Sequence, residues 1–336
     1  MATTSHHYAV HGLRLRIEAE SASLVDCFDS ILQPFAAVES GRNSNSYVVR
    51  MRYGTPRPAR STPRGMRRVW RGTPPGGCHT IFYAGEGMRQ TDLPGLARVI
   101  VNLPRREARV TVKRGAEWCL NRNVITPLLC TFLAQVGHHV IHAASLAMGD
   151  GDATRAVLLA ARSGLGKTTT ALALARSGLR LMADDASFIG PTDLGGLAVW
   201  GLPRPCKVHQ KTLKLMPWLE KLPRRPAPTQ DEYLIDVAAL SGAKALHSAR
   251  PGLIFFLDRR NARRHRVSPL DKTAALLRLT RENVRAIESG ADGPAGRAFD
   301  AIGELVQQSD AYLLSVGPRL DGLFDHLAPI MEKTER

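Results

Sequence analysis

The sequence lacks any apolar run long enough to cross a membrane, and it has few cysteines and few lysines. The longest apolar candidate, residues 124–136, is interrupted by Thr126, Pro127, Thr131 and Gln135, well short of the roughly 18 apolar residues of a membrane helix. The five cysteines are odd in number and widely spaced, without a Cys-x-x-Cys pair, which excludes a disulfide framework and a zinc ribbon. The first residues lack the basic-then-apolar layout of a signal peptide, so we expect a cytoplasmic protein.

The composition is that of a globular protein with a strong basic excess. The chain has 336 residues, of which 44% are hydrophobic and 23% charged, enough for two domains or one large one. The net charge is +16, yet only nine of the 46 basic residues are lysine. An arginine excess of this kind is typical of a GC-rich genome, so part of the charge reflects composition. Nucleic acid is therefore the minor alternative as a partner, and the oligomeric state, a homo-oligomer included, stays open.

The first 122 residues predict a β-rich α+β domain. Leu13–Ile17 alternates with period two, as a half-buried strand does, and residues 22–32 have helical spacing. Further strand patterns cover 46–53, 79–84, 97–103 and 107–113, the last two forming a hairpin.

One segment of this domain, residues 52–77, is rich in arginine, proline and glycine and contains no acidic residue. This composition opposes a packed core and predicts a mobile basic loop. Two interpretations remain open. The loop is either a solvated insertion, which we favour, or a docking surface for an acidic peptide or an RNA.

The pattern changes from residue 123, and residues 123–330 predict a second domain of the α/β class. Residues 124–137 form a helix candidate that ends at glycine, and two apolar runs, 140–147 and 156–160, flank a turn that contains Asp-Gly. Helix and strand patterns then alternate, which is typical of an α/β layer structure.

The most informative residues form a glycine-containing turn between a predicted strand and a predicted helix. The pattern predicts a P-loop, because consecutive backbone N–H groups and a helix N-terminus bind phosphate. Lys167 would contact the β- and γ-phosphates of ATP, and the Thr168 hydroxyl would bind Mg²⁺. Ala161 stands where the usual motif begins with glycine, and it is tolerable if its φ is negative. The predicted nucleotide-binding residues are Ala161, Arg162, Ser163, Gly164, Leu165, Gly166, Lys167, Thr168 and Thr169.

Two adjacent carboxylates, Asp184 and Asp185, end the next predicted strand. A strand that follows a short crossover helix normally runs parallel to the strand before it. The aspartates should therefore lie at the same sheet edge as the turn, where ligands bind in open α/β sheets. One carboxylate there can hold a metal ion and the other can accept a proton from an attacking hydroxyl.

These motifs, in this order, resemble the C-terminal domain of HPr serine kinase/phosphorylase. The segments are His142-Ala-Ala-Ser, Ser163-Gly-Leu-Gly-Lys-Thr and Gly178-Leu-Arg-Leu-Met-Ala-Asp-Asp. The resemblance covers residues 122–330 and is closer to the HPr-kinase-like proteins found beside peptide-modification gene clusters, including lasso-peptide kinases. It implies a core related to phosphoenolpyruvate carboxykinase. It also implies Mg²⁺-dependent transfer of the ATP γ-phosphoryl group to a serine hydroxyl of a peptide or protein.

The resemblance also implies roles for single residues. Asp184 would be the base on the acceptor hydroxyl, Asp185 would assist or support the metal ion together with Thr168, and His142 would lie near the phosphates. Family members carry a downstream glutamate and arginine, whereas residues 199–207 here offer Arg204 and Lys207 and no glutamate. This departure weakens the case for HPr as the substrate and for the reverse reaction.

Other interpretations compete with the peptide kinase. A small-molecule kinase would use the same nucleotide-binding parts, and a nucleotide-dependent binding protein would use the basic loop to hold nucleic acid. His138, His139 and His142 invite a zinc site, but zinc needs three or four ligands and no acid or cysteine is close in sequence.

Overall fold

The protein is a mixed α/β chain with several mixed sheets. The computed structural model describes residues 4–38, 45–57, 61–74, 77–192, 195–202, 204–227, 232–236, 240, 248–258, 262–283 and 294–335. The chain divides into two compact units: the first contains Met1–Gly137 and Arg285–Arg297, and the second contains His138–Val284 and Ala298 onward. No helix of the described residues is both long and apolar enough to span a membrane.

The first unit is built on one mixed sheet. Its strands are β1 (Thr4–Val10), β2 (Leu13–Ala19), β3 (Ser46–Tyr53), β4 (Met66–Gly72), β5 (Thr80–Gly85), β6 (Met88–Leu93), β7 (Ala97–Asn102) and β8 (Glu107–Val112). The strand order is β1-β2-β3-β8-β7-β6-β5-β4. The pairs β2·β3 and β3·β8 are parallel and the others antiparallel, so the predicted hairpin of β7 and β8 is confirmed.

Two helices cover the apolar face of this sheet. Helix α1 (Ala22–Leu32) links β2 to the parallel strand β3, and it buries Leu24, Val25 and Phe28. Helix α2 (Thr126–Leu133) ends through a 3₁₀ turn at Gly137, whose φ of 87° suits glycine.

The division between the units differs from the predicted boundary near residue 122. The fully buried ring of Phe132 in α2 packs on Tyr47 of β3, with ring centroids 4.4 Å apart. The Asn123 Oδ1 atom accepts a hydrogen bond from the Cys78 amide at 3.1 Å. Residues 123–137 therefore complete the core of the first unit. The sequence pattern marked the change to helix but did not show which strands the helix covers.

The expectation of a mobile basic loop over residues 52–77 is wrong where the chain forms strands. Arg52 belongs to β3, and Arg67, Arg68 and Arg71 belong to β4, which pairs antiparallel with β5 at the edge of the sheet. The β4 arginines are exposed, and exposed side chains of an edge strand need no packed core beneath them. Residues 58–60 and 75–76 of the segment lie outside the described residues.

The second unit is layered, with helices on both faces of a large sheet. Its strands are β9 (His139–Ile141), β10 (Ala143–Met148), β11 (Arg155–Ala160), β12 (Arg180–Ala183), β13 (Ser187–Pro191), β14 (Leu197–Gly201), β15 (Cys206–His209), β16 (Arg224–Pro226), β17 (Glu232–Ile235), β18 (Ser248–Leu257), β19 (Arg266–Leu270) and β20 (Asp310–Ser315). Its helices are α3 (Lys167–Arg176), α4 (Gln210–Leu215), α5 (Lys272–Asn283), α6 (Pro294–Gln308) and α7 (Leu323–Glu335).

The main sheet of this unit has the order β12-β10-β11-β18-β14-β13-β9, and β20 and β19 extend it beside β18. Strand β18 is ten residues long: its beginning pairs with β14, and the rest lies between β11 and β20. A smaller sheet has the order β15-β17-β16. The antiparallel pairing of β10 with β11 confirms the hairpin predicted from the Asp-Gly turn.

The inner strands are almost continuously apolar because both faces of the sheet are covered. Leu159 of β11 and Phe255 of β18 pack with α3 and α7 on one face. Leu158 and Ile254 pack with α5 and α6 on the other. The result is a sheet between two helical layers, the α/β class predicted for this half of the chain.

The position of α2 in the first core predicts a large stability loss for Phe132→Ala. Removing a fully buried phenylalanine ring from a well-packed core costs about 3–5 kcal/mol of unfolding free energy. Phe299→Ala is the matched control, because Phe299 on α6 is 44% exposed and should cost less than about 1 kcal/mol. Denaturant unfolding of both variants tests this, and equal losses would contradict the packing of α2.

Candidate functional site

The chain makes a glycine turn (residues 161–166) between the end of β11 and the start of α3. Gly164 and Gly166 have φ values of 83° and 94°, the left-handed region that favours glycine. No other atom lies within 4 Å of a Cβ built at either position, so the backbone conformation rather than crowding requires glycine there. Gly166 is also the N-cap of α3, and the positive end of the helix dipole therefore faces the turn.

Ala161 does not have a positive φ, which is the condition under which alanine can replace the usual glycine of the motif. Among the described residues, the non-glycine positions with positive φ are His11, Arg106 and Asp185. Ala161 therefore has an ordinary backbone conformation, and alanine replaces glycine there without backbone strain.

Lys167, the first residue of α3, is buried, with 7% of its surface exposed. Its Nζ atom donates to the Ala161 carbonyl oxygen at 2.8 Å and to His142 Nε2 at 2.7 Å. Burial lowers the pKa of the Lys167 ammonium, while the carboxylates of Asp185 and Asp184 act in the opposite direction. An ammonium has three donors, so one further donor is available to an anion in the turn.

Asp184 lies beside the hydroxyl of Thr168, as the sequence predicted from the shared sheet edge. The Thr168 hydroxyl donates to the two Asp184 carboxylate oxygens at 2.9 and 3.0 Å. Strand β12 pairs antiparallel with β10, and β10 pairs antiparallel with β11. The strands β11 and β12 thus run in the same direction with β10 between them, so the residues that follow each meet at one edge.

Asp185 points to a different partner because of a tight backbone turn. The Ala186 amide donates to the Asp184 carbonyl oxygen at 2.8 Å across Asp185, whose φ is 68°. This is a three-residue γ-turn of the rarer, strained kind. Its effect is to direct the exposed Asp185 side chain to His142, with 3.3 Å between Asp185 Oδ1 and His142 Nδ1.

His142 immediately precedes β10, and its ring joins the lysine to the second carboxylate. A charged Lys167 ammonium can only donate, so His142 Nε2 accepts and the ring proton lies on Nδ1, where it faces Asp185. The backbone amide of His142 donates to Asn283 Oδ1 at 2.6 Å. The sequence offered no signal for Asn283, which comes from α5, 141 residues away.

The electrostatics of the cluster centre on Asp184. Burial, and secondarily the charge of Asp185, raises the pKa of the Asp184 carboxyl to about 6. The Thr168 hydrogen bond lowers that pKa, and so do the cations Lys167 and Arg204. Arg204 therefore belongs to the electrostatic environment of the cluster.

Lys207 makes a different contact. It pairs with Glu232 of the neighbouring strand β17, and His209 Nδ1 lies 3.3 Å from the same carboxylate. Sequence reasoning missed Glu232 because it lies 25 positions after Lys207 and meets it only through strand pairing. Arg162, in the glycine turn, lies 3.3 Å from Glu282 of α5.

The donor atoms of the cluster suit one kind of metal ion. The Thr168 hydroxyl and the adjacent carboxylates of Asp184 and Asp185 offer hard oxygen donors, which fit Mg²⁺ held jointly with substrate phosphates. In the described part of the chain, no group of three or more His, Cys, Asp or Glu side chains could hold a metal ion by itself.

The raised pKa of Asp184 predicts a pH-dependent effect of Asp184→Asn on stability. Ionising this carboxyl opposes folding, because its pKa is about 6 in the folded chain and 3.8 ordinarily. The penalty is absent below about pH 4, grows between pH 4 and 6, and persists above. Metal-free Asp184→Asn should thus be more stable than the parent at pH 8, with no charge-related gain at pH 4. Urea unfolding at both pH values measures this, and a pH-independent difference would contradict it.

Comparisons with known proteins find a distant similarity to solved structures. No family model matches the sequence, and no curated protein matches it. Among solved structures, the chain is similar to the structure of the HPr(Ser) kinase/phosphatase from Coxiella burnetii. That match has 13% sequence identity and a TM-score of 0.30, over 58% of this chain and 97% of that chain. A TM-score of 0.30 is too low to assign a function to the chain.

Proposed function

We propose that the protein is an ATP-dependent kinase that transfers the γ-phosphoryl group to a serine-type hydroxyl of a peptide or protein. The observation that carries the proposal is the meeting of Lys167, Thr168 and Asp184 at the glycine turn. A buried lysine, a hydroxyl and a carboxylate beside such a turn supply the parts that phosphoryl transfer requires. The ordered motifs that resemble HPr-kinase-like proteins support the choice of acceptor.

In this proposal the glycine turn binds the phosphates as a P-loop. Its amides and the N-terminus of α3 face the anion, and the free donor of Lys167 contacts the β- and γ-phosphates. Thr168 and Asp185 would hold Mg²⁺, which neutralises phosphate charge when bound. Arg204, close enough to lower the pKa of Asp184, would stabilise charge on the transferred group.

Asp184 is proposed as the proton acceptor for the attacking hydroxyl. A base works best when its pKa lies near the working pH, and burial brings the pKa of Asp184 to about 6. Its oxygens already accept a hydrogen bond from the Thr168 hydroxyl. Asp185 would support the metal ion and orient His142, which in turn positions the Lys167 ammonium.

Lys167→Ala should strongly slow phosphoryl transfer while the chain stays folded. Removing one electrostatic contact to the transferred group costs about 10²–10³-fold in rate. The test measures phosphate transfer from labelled ATP to a pool of serine peptides, with the same peptides carrying alanine as the blank. Circular dichroism checks that the variant is folded.

Lys214→Ala is the matched control, because Lys214 is an exposed lysine of α4 in the same unit. Its transfer rate should equal that of the parent. A parental rate in Lys167→Ala would refute the P-loop assignment.

Asp184→Asn should keep nucleotide affinity and lose transfer, because a base acts only on the acceptor proton. The loss expected for a general base is about 10²–10⁴-fold in single-turnover rate. Asp185→Asn should instead raise the Mg²⁺ concentration needed for half-maximal nucleotide binding. Calorimetric ATP titrations at several Mg²⁺ concentrations, with single-turnover transfer, separate the two roles.

The opposite assignment of the two aspartates has to be tested as well, because the Thr168 hydroxyl is hydrogen-bonded to Asp184. If Asp184→Asn, and not Asp185→Asn, shifted the Mg²⁺ requirement, then Asp184 would hold the metal ion with Thr168. The base assignment would then be wrong for Asp184.

A further inference from the structure

Arginines occupy the polar face of the sheet in the first unit, opposite the face that α1 and α2 cover. Arg50 and Arg52 are two residues apart on β3, so they share a face. Arg50 is paired in register with Arg109 of β8, and Arg52 is paired with Thr111, which is in turn paired with Arg98 of β7. Directly paired residues of neighbouring strands lie on the same side of a sheet. We define the arginine face as Arg50, Arg52, Arg57, Arg98 and Arg109.

The arginine face borders a cavity of about 530 Å³. All five arginines line the cavity, and residues 55–57, which follow β3, form part of its wall. Its remaining lining side chains are methionine, threonine, proline, isoleucine and valine. The cavity therefore combines cationic groups with small apolar surfaces and has no aromatic side chain in its lining.

Positive charge on this face exceeds what the chain neutralises. Arg50 pairs with Glu18 and Glu107, at 2.8 and 2.7 Å. Arg109 shares Glu107 at 2.7 Å.

Arg98 has a carboxylate of its own, since its Nε lies 2.8 Å from the buried Asp92. Arg52 and Arg57 are exposed, and neither forms an ion pair with a carboxylate of the described residues. Among the described residues, the side-chain hydrogen-bond partner of Arg52 is the Thr111 hydroxyl, at 3.5 Å. At least two guanidinium groups at the cavity are thus open to an anion from outside the chain.

The spacing of the arginines suits an extended acidic peptide. Residues two apart on a strand are separated by about 6.6 Å, which is also the spacing of alternate side chains in an extended peptide. Guanidinium groups bind carboxylates through paired hydrogen bonds. Proteins that bind single-stranded nucleic acid combine basic groups with aromatic side chains on which the bases stack, and the lining of this cavity has no aromatic side chain.

We propose that the arginine face docks an acidic segment, in extended conformation, of the peptide or protein that the kinase phosphorylates. The inference rests on the proposed kinase function only for the statement that the docked chain is the phosphoacceptor. This surface differs from the basic loop predicted over residues 52–77, because its arginines lie on the paired strands β3, β7 and β8 and on the segment after β3.

The experiment measures binding to the full chain without ATP, by fluorescence anisotropy at about 50 mM salt. The probe is a labelled twelve-residue peptide that alternates glutamate and serine, and its counterpart carries glutamine in place of glutamate. A labelled oligouridine of twelve nucleotides tests the alternative occupant. The triple variant is Arg52→Gln, Arg57→Gln, Arg109→Gln.

This variant should fold, because the three side chains are exposed and none is the sole partner of a buried carboxylate. A matched control removes the same charge from exposed positions of the second unit. Its substitutions are Arg250→Gln, Arg263→Gln and Arg264→Gln.

We expect the parent chain to bind the glutamate peptide more tightly than the glutamine peptide. We also expect an affinity loss of about tenfold or more in the first variant, little change in the control, and weaker binding at about 500 mM salt. Equal losses in both variants would overturn the proposal, since they would reflect net charge alone. Failure of the parent to prefer the glutamate peptide would overturn it too, as would tighter, arginine-dependent binding of the oligouridine.

The outcome is independent of the kinase assignment. If the glutamate peptide binds through the arginine face but Lys167→Ala leaves phosphate transfer unchanged, the docking surface stands and the proposed kinase site falls. If transfer depends on Lys167 but the first triple variant binds the peptide as the parent does, the kinase site stands and the docking surface falls.

Discussion

The buried ammonium of Lys167 is the constraint on which the rest of the cluster depends. A cation that burial removes from water needs acceptors close by, and here it has a carbonyl of the glycine turn and the ring of His142. The carboxylates of Asp184 and Asp185 lie behind these and favour the charged form of the lysine. Charge on one group therefore depends on the others, and the lowered pKa of Lys167 and the raised pKa of Asp184 are two consequences of the same shared burial.

Much of this cluster could be predicted from strand patterns, because the directions of β10, β11 and β12 bring its residues to one edge of the sheet. The Asp-Gly turn predicted that β10 and β11 form a hairpin, so the beginning of β10 and the end of β11 share one edge. His142 stands just before β10 and the glycine turn just after β11. The crossover through α3 then returns β12 in the direction of β11, which brings Asp184 to that edge. The sequence pattern did not reveal that β10 lies between them, since a crossover rule gives direction and not position.

The residues that sequence reasoning missed or misplaced are those fixed by packing between distant segments. Asn283 reaches His142 only because α5 packs against the sheet, and Glu232 reaches Lys207 only because β17 pairs with β15. Likewise, Phe132 binds α2 to the first core through a contact with β3. Hydrophobic periodicity shows that a helix has a face to bury but not which strand will cover it. The sequence does not predict β4 for a related reason, because a composition that opposes a packed core does not oppose an exposed edge strand.

The γ-turn at Asp185 shows why two adjacent aspartates can serve one site without duplicating each other. On an extended strand, neighbouring side chains point to opposite faces, and one of the two carboxylates would leave the cluster. With φ at 68°, Asp185 turns back to His142 while Asp184 keeps its contact with Thr168. A positive φ is uncommon for residues with a side chain, and aspartate and asparagine are enriched among those that adopt it, so the backbone already restricts the choice of residue at position 185. Asparagine would keep the turn and remove the charge, whereas alanine would disturb both, and only the first substitution isolates the electrostatic role of the second carboxylate.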